Sequence, residues 1–149
     1  MTISFCRYNE NGFTVIEVIA VLIIIGIVAA ITVGGLSSQA ELTSQADIVK
    51  SHLRFAQLKA LQDDTASWGI AFTASSYSLY SNEAPATINF PGENSGSHSF
   101  PSVVTVTNPS TIKFDQWGSP GNQNVLLILR QGADTKTITI TADTGYIAP

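Results

Sequence analysis

An apolar stretch of more than twenty residues near the start of the chain limits what the sequence can form. Residues 12–35 hold only one ionisable side chain, Glu17. As a helix, residues 13–33 would extend about 31 Å, which matches the hydrocarbon thickness of a bilayer. The sequence therefore predicts a transmembrane helix over residues 13–35. Because a carboxylate inside such a helix is costly, Glu17 is a candidate functional residue that needs a partner.

The order of segments differs from that of a secretory signal, in which small residues of a cleavage site follow the apolar run. Here a polar leader, residues 1–12, ends in Gly12, and Phe13 opens the apolar run. The junction Gly-Phe-Thr-x-x-Glu, with Glu17 as its last residue, resembles the prepilin signal of type IV pilins and type II secretion pseudopilins. The alternative is a single-pass anchor whose Glu17 lies near the lipid headgroups.

The resemblance implies how the start of the chain is processed. Prepilin peptidase would cut between Gly12 and Phe13, the new amino group of Phe13 would be methylated, and the apolar helix would stay in the mature protein. In the family, the glutamate equivalent to Glu17 pairs with the N-terminal amine of a neighbouring subunit. Such a pair would explain why a charge is tolerated in an apolar helix.

Two features depart from the family pattern. The leader has Arg7 as its only basic residue and also carries Glu10, so orientation by loop charge is weakly specified. Gly34 and Gly35 stand where major pilins commonly have a proline. Because each glycine costs a helix about 1 kcal/mol relative to alanine, a bend or local melting is plausible there.

Composition allows one exported domain after the apolar helix. Residues 36–149 provide about 115 residues, enough for one modest core. The net charge of −4 does not indicate a basic surface. The single cysteine, Cys6, falls in the leader, so we expect neither a disulfide nor a structural zinc site in the exported domain.

A second helical pattern follows the apolar stretch. Small and aliphatic residues recur at mostly alternating spacings of four and three, which predicts an amphipathic helix over about residues 37–62. The predicted buried stripe consists of Ala40, Leu42, Ala46, Val49, Leu53, Ala56 and Ala60, broadened by Ile48, Phe55, Leu58 and Leu61. We expect this stripe to pack on the chain's own domain, with a partner-binding face as the alternative.

The rest of the chain, from about residue 68 to residue 148, has the β-branched content and alternation of strands. A hairpin is predicted over 68–73 and 76–81. Further strands are predicted at 103–107, 111–114, 125–130 and 136–141, with residues 145–148 closing the chain. Residues 82–99, rich in Pro, Gly and Ser, are predicted to form a mobile excursion with little core.

The second half carries a further resemblance. Its pattern is Phe114-Asp115-Gln116-Trp117-Gly118, then Val125-Leu126-Leu127-Ile128-Leu129, then Thr137-Ile138-Thr139-Ile140 and finally Gly145-Tyr146-Ile147. This succession is similar to the C-terminal pattern of the GspH/FimT group of minor pseudopilins. The resemblances together imply an α+β, pilin-like fold, in which a long N-terminal helix packs on an antiparallel β-sheet domain.

Enzymatic motifs are missing from the sequence, so we expect no enzyme, no cofactor and no metal. His52 lies on the amphipathic helix and His98 in the Gly/Ser-rich loop, without a nucleophile elbow or a His-Glu-x-x-His helix. Asp63, Asp64 and Asp115 offer oxygen ligands for calcium, but none lies in a spaced acidic loop. Helix-end and turn roles are expected of these carboxylates.

Five aromatic residues raise the possibility of a stacking surface for nucleic acid or glycan. They are Trp68, Tyr77, Tyr80, Trp117 and Tyr146. Few basic residues accompany them, and aromatic residues of strands are usually packed, so we predict that they belong to the core.

Two function classes follow. The first is a structural minor pilin or pseudopilin subunit of a type II secretion system or type IV pilus. It would support filament assembly and protein secretion from the bacterial inner membrane as a single-pass protein with its C-terminal domain in the periplasm. Its partners would be prepilin peptidase, other pilin subunits, the inner-membrane assembly platform and membrane lipid. The alternative is a DNA-binding minor pilin of a DNA-uptake machine, although the chain ends without the basic motif that such binding needs.

Overall fold

The structure, a computed structural model, describes residues 13–148, and the side chains of all of these except 30–38. The predicted leader with Cys6, Arg7, Glu10 and Gly12 lies outside the described residues. One helix, α1 (Val15–Gln62), occupies the first part of the described chain. Gly34 and Gly35 lie within this helix.

The chain divides into two units, Met1–Ser37 and Ser38–Pro149. Among the described residues, no helix combines the length and the apolar character needed to cross a membrane. The first unit holds the beginning of α1, and the second holds its remainder together with all the strands described.

Five strands of the second unit form one antiparallel sheet. They are β1 (Trp68–Phe72), β2 (Ser76–Ser81), β3 (Ala84–Pro85), β4 (Ser97–Ser99) and β6 (Thr111–Phe114). β1 lies between β2 and β6, while β3 and β4 both pair with the other edge of β2. The predicted hairpin is thus confirmed as β1 and β2, with Phe72 opposite Tyr77 at its closed end.

Three strands form a second antiparallel sheet. They are β5 (Thr105–Val106), β7 (Val125–Gln131) and β8 (Asp134–Ile140), with β7 in the middle. Ile147 adds an isolated bridge to Ile140, which closes the chain against β8. In β8 the buried Ile138 and Ile140 alternate with Thr137 and Thr139, as a sheet with one buried face requires. In β7 the residues on either side of the buried Leu127 are aliphatic as well, and one of them, Leu126, is 50 % exposed.

The core joins the amphipathic part of α1 to both sheets. Six helix residues at the predicted spacing are buried, namely Leu42, Ala46, Val49, Leu53, Ala56 and Ala60. They share one cluster with strand residues such as Ile70, Leu79, Leu127 and Ile138. The α+β, pilin-like fold class is confirmed. The prediction that Ala40, Leu58 and Leu61 are buried is wrong. They are exposed because they lie beside or before the stripe that meets the sheets.

The prediction of little core in residues 82–99 is wrong. Phe90 is buried, with 2 % exposure, and its backbone N–H donates to the Ser95 carbonyl at 3.0 Å. The backbone N–H of Leu79 in β2 donates to the Gly96 carbonyl at 2.8 Å. The segment therefore folds back along the edge of the first sheet and contributes an aromatic ring to the core.

Candidate functional site

The predicted assembly residues lie where α1 begins. Thr14 precedes the helix, and its carbonyl accepts from the N–H groups of Glu17 at 3.1 Å and Val18 at 3.2 Å. Its hydroxyl also accepts from the Glu17 N–H at 3.3 Å. This is the geometry of an N-cap, in which a Thr oxygen satisfies a donor that the first helical turn leaves free.

Glu17 occupies the third helical position of this cap. Thr-x-x-Glu is the capping-box pattern, and a carboxylate there interacts favourably with the positive end of the helix dipole. This second role of Glu17 was not predicted, although the Thr14-x-x-Glu17 spacing before an apolar run indicates it. The Glu17 carboxylate can therefore stabilise the start of its own helix, independently of any neighbouring subunit.

The surroundings of Glu17 are otherwise apolar. Phe13, Val18, Val21 and Leu22 line a recess of about 260 Å³ with it. The large hydrophobic side chains of residues 13–28 are all about half exposed or more, from 49 % at Val18 to 82 % at Phe13. A helix that is apolar on every side needs a cover of lipid or protein. Gly12, the other predicted cleavage residue, lies outside the described residues.

The two histidines belong to a buried polar cluster and do not form an open site. His52 Nδ1 lies 2.8 Å from the Tyr77 hydroxyl, and His52 Nε2 lies 3.4 Å from the Pro91 carbonyl. Because a carbonyl can only accept, Nε2 carries the proton and Tyr77 donates to Nδ1. The Phe90 ring stacks on the imidazole at a centroid distance of 4.1 Å.

The pKa values agree with this arrangement. Burial lowers the pKa of His52, against smaller opposing contributions from the Pro91 hydrogen bond and the Glu93 carboxylate. Burial raises the pKa of Tyr77 far above its usual range, which keeps the hydroxyl protonated as a donor. His98, on β4, contacts the Glu93 carboxylate and lies 3.1 Å from Gln45 Oε1. The cluster is a satisfied polar part of the core.

Two of the three candidate calcium ligands are used by turns. Asp63 Oδ1 accepts from the Thr65 N–H and hydroxyl, while its Oδ2 accepts from the Trp68 indole at 3.0 Å. Asp115 Oδ1 accepts from two backbone N–H groups of the loop that follows it. Among the described residues, no group of three or more His, Cys, Asp or Glu side chains is placed to hold a metal ion.

The aromatic residues divide into buried and exposed ones. Tyr77 is buried as predicted, and Trp68 and Tyr80 are half-buried. Trp117 and Tyr146, however, are 76 % and 63 % exposed, so the prediction that they belong to the core is wrong. Both precede or follow a glycine with positive φ, Gly118 at 76° and Gly145 at 63°.

Gln57 on α1 holds these two loops together. Its Nε2 donates to the Gly118 carbonyl at 2.8 Å and to the Gly145 carbonyl at 3.0 Å. A Cβ on Gly145 would lie 1.9 Å from the Gly118 oxygen, so the close approach requires glycine. The two glycines therefore turn inward onto Gln57, which leaves the neighbouring Trp117 and Tyr146 at the surface.

Comparison with known proteins gives one finding, at the start of the chain. The prokaryotic N-terminal methylation motif matches residues 7–33, which include Gly12, Phe13, Thr14 and Glu17. Nothing matches among curated proteins or among solved structures. The motif implies processing by prepilin peptidase and assembly with other pilins. The chain therefore carries the amino-terminal motif of type IV pilin-like proteins, and its domain has an α+β, pilin-like arrangement.

Proposed function

We propose that the chain is a non-enzymatic structural subunit of a type II secretion pseudopilus or a type IV pilus, most similar to GspH/FimT-type minor pseudopilins. Before assembly it would lie in the bacterial inner membrane as a single-pass protein with its C-terminal domain in the periplasm. The observation that carries the proposal is the methylation motif on residues 7–33, followed by a helix whose apolar side chains are exposed on all sides. Lipid would cover those side chains before assembly, and neighbouring helices afterwards.

Glu17 would pair with the methylated amine of Phe13 in a neighbouring subunit. The recess around Glu17 is lined otherwise by apolar side chains. An ion pair in such surroundings is several times stronger than in water, where it contributes about 1 kcal/mol at 4 Å. Removal of one partner would leave a charge unpaired in an apolar interface.

The alternative of a DNA-binding pilin has less support. Residues 141–148 contain Asp143 and neither Arg nor Lys. The affinity of such a site depends on cations that neutralise phosphates. The exposed Trp117 lies beside carboxylates, which would repel a nucleic acid backbone.

Two measurements test the proposal. Mass spectrometry of the assembled protein should find an N-methylated Phe13 as its first residue. Retention of Met1, or cleavage after the apolar run, would contradict the prepilin processing.

The role of Glu17 is tested by Glu17→Val and Glu17→Gln, compared at equal membrane abundance. Glutamine suits a capping box as well as glutamate does, but it carries no charge. If the charge pair matters, both variants lose incorporation into filaments together with secretion or piliation. Normal assembly of Glu17→Gln alone would assign Glu17 to helix capping, and normal assembly of both would remove the residue from assembly. Thr14→Ala is the matched control, because it removes the cap and keeps the charge.

A further inference from the structure

One surface of the second unit combines exposed apolar side chains with carboxylates. Trp117 and Tyr146 flank the Gln57 contacts, and Leu61, 53 % exposed, lies 3.4 Å from the position of a Cβ on Gly118. The last turn of α1 leads directly into Asp63 and Asp64. We call this surface the acidic aromatic end, and its residues are Leu61, Asp63, Asp64, Asp115, Trp117 and Tyr146.

The acidic aromatic end contains an open cleft. Residues 63–67 and 114–117 line it, with a volume of about 370 Å³. Three carboxylates and the Trp117 side chain contribute to the lining, and no Lys or Arg does. Asp63 and Asp115 are engaged by their turns, whereas Asp64 is exposed and makes no ion pair within residues 13–148. The cleft therefore favours a cationic group with a flat face or an apolar stem.

A cationic group of this kind lies on the same unit, on the hairpin of β7 and β8. Arg130 is exposed, and its Nε donates to the Gly132 carbonyl at 2.8 Å, which holds the guanidinium at the turn. The rest of the guanidinium makes no ion pair within the described residues. Lys136 lies on the face of the hairpin that meets α1, where it lines a groove with Thr43, so Arg130 is the cation on the outward face of this hairpin end.

The two surfaces lie far apart along the helix. Lys136 and Asp134 line a groove with Thr43, whereas the glycines beside Trp117 and Tyr146 contact Gln57. Fourteen residues of helix correspond to about 21 Å. The hairpin of one chain therefore lies too far away to fill its own cleft, but a second copy presents the same hairpin.

We propose that the acidic aromatic end binds the β7–β8 hairpin of a second copy of this chain. The Arg130 guanidinium stacks on the Trp117 indole and pairs with the Asp64 carboxylate. Arginine is suited to both contacts, because its planar fork stacks on aromatic faces and matches a carboxylate with two hydrogen bonds. Trp, Tyr and Arg are also the residues that most often dominate the energy of an interface.

The contact joins different surfaces of identical copies, so it is heterologous. Each bound pair keeps one free cleft and one free hairpin, and further copies add without closing a ring unless the rotation closes. This contact uses no residue of the first unit, Met1–Ser37. It therefore goes beyond the proposed Glu17 pairing and stands or fails separately from it.

Cysteine cross-linking of the full mature chain in detergent micelles tests the contact. Cys6 is the single cysteine of the sequence, so Cys6→Ser in both preparations leaves the introduced cysteines alone, whether or not the leader is removed. One preparation carries Gln116→Cys in the cleft, and the other carries Ala133→Cys at the hairpin turn. We expect a disulfide-linked dimer in the mixture and much less in either preparation alone. Equal amounts in all three, or none, would overturn the proposal.

Charge reversal separates the proposed pair from chance collisions. Asp64→Arg in the cleft preparation, or Arg130→Asp in the hairpin preparation, should reduce the heterodimer at least about tenfold. Combining the two reversed chains should restore most of it. Arg54→Asp, which changes an exposed arginine of α1 by the same charge, is the control and should have little effect.

The stacking contact has its own test. Trp117→Leu removes the indole from an exposed position, so it should lower cross-linking severalfold with no change in the unfolding midpoint. If Trp117 fluorescence instead responds to a neutral glucan or to an oligonucleotide, and cross-linking ignores Asp64 and Arg130, the cleft is a ligand site and the proposed contact is wrong.

Discussion

Residues 13–29 and residues 38–148 contain the same kinds of aliphatic side chains, but these are exposed in the first region and largely buried in the second. In the first region, Ile16 and Leu22 are 74 % and 62 % exposed. In the second, Val49 and Leu53 of the same helix are fully buried. The difference comes from periodicity, because a one-sided stripe can be covered by sheets of its own chain, whereas an all-round apolar surface must be covered from outside.

The two regions also differ in what reveals their function. The first region is defined by a short motif, matched over residues 7–33. The second region has no such match, and its candidate contact surface depends on side chains that only the fold brings together. The amino-terminal motif thus indicates a pilin-like protein, while any distinctive binding partner must be sought on the domain.

The largest expected effect contrasts a leucine in each region. Leu53→Ala should lower the free energy of unfolding of the domain by about 2–5 kcal/mol, because it leaves a cavity in a sealed core. Leu22→Ala should change it by no more than about 0.5 kcal/mol, because Leu22 is 62 % exposed. Urea unfolding of the full mature chain in micelles, followed by tryptophan fluorescence, measures both. A large effect of Leu22→Ala would contradict the expectation that the exposed side chains of the first region contribute little to the free energy of unfolding.

A second, somewhat smaller effect is expected where the loops meet Gln57. Gly145→Ala and Gly132→Ala change glycines of nearly equal φ, 63° and 60°. In both variants the alanine must adopt a left-handed backbone conformation, which lowers the free energy of unfolding by about 1–2 kcal/mol. Only Gly145 has a backbone oxygen within 2 Å of the added Cβ, whereas Gly132 has open space.

Gly145→Ala should therefore cost about 1–3 kcal/mol more than Gly132→Ala, by the usual penalty of overpacking. Thermal unfolding of the two variants, side by side, gives this difference directly. Equal costs would mean that the contact of Gly118 with Gly145 relaxes freely and does not fix the acidic aromatic end.

Local pattern predicted the elements that repeat regularly. The spacing of Leu42, Val49 and Leu53 specified the buried side of α1, and alternation located the main strands. Ala40, Leu58 and Leu61 were assigned to the buried side although they are exposed, since hydrophobicity alone does not say where the facing sheets end. The motif match over residues 7–33 includes the junction at Gly12 and Phe13, and cleavage there stays a prediction. The capping pattern of Thr14 and Glu17 was visible in the sequence but was not used, and the backbone hydrogen bonds reveal it.

Contacts between distant segments could not be predicted in the same way. Phe90 lies in a segment rich in turn residues, and its burial depends on His52, which is far away in sequence. Trp117 and Tyr146 are exposed because two glycine turns meet at Gln57. Neither arrangement leaves a periodic signal, so the acidic aromatic end was not visible in the sequence.

A smaller effect is expected of pH on the free energy of unfolding of the domain. Because burial lowers the pKa of His52 in the folded state, the unfolded chain binds this proton more readily. His52 therefore contributes no penalty above its usual pKa of 6.5 and destabilises the fold as the pH falls below that value. The His98 ring and the Glu93 carboxylate face the same cluster.

His52→Gln isolates the contribution of this histidine. The amide can still accept from Tyr77 and donate to Pro91, but it does not titrate in this range. The variant is expected to be less stable at pH 8, and its stability should fall less steeply than that of the wild type between pH 7 and pH 5. Parallel pH profiles of the urea midpoint for the variant and the wild type would contradict the assignment to His52.

The smallest effect is expected from an exposed ion pair of the domain. Lys113 Nζ lies 2.8 Å from Glu83 Oε1, and the two side chains are 50 % and 78 % exposed. The hydrogen bond from Lys113 lowers the pKa of Glu83, so any stabilisation is present above the usual pKa of 4.5 and is lost as the pH falls below it. Water and salt screen such a pair, and its ordering costs side-chain entropy. Lys113→Met should therefore leave the urea midpoint at pH 7 close to that of the wild type, and added salt should remove what difference remains. A clear loss that persists at high salt would mean that Lys113 acts through packing of its aliphatic stem, which would extend the stabilising core of the domain to an edge that is otherwise exposed to solvent.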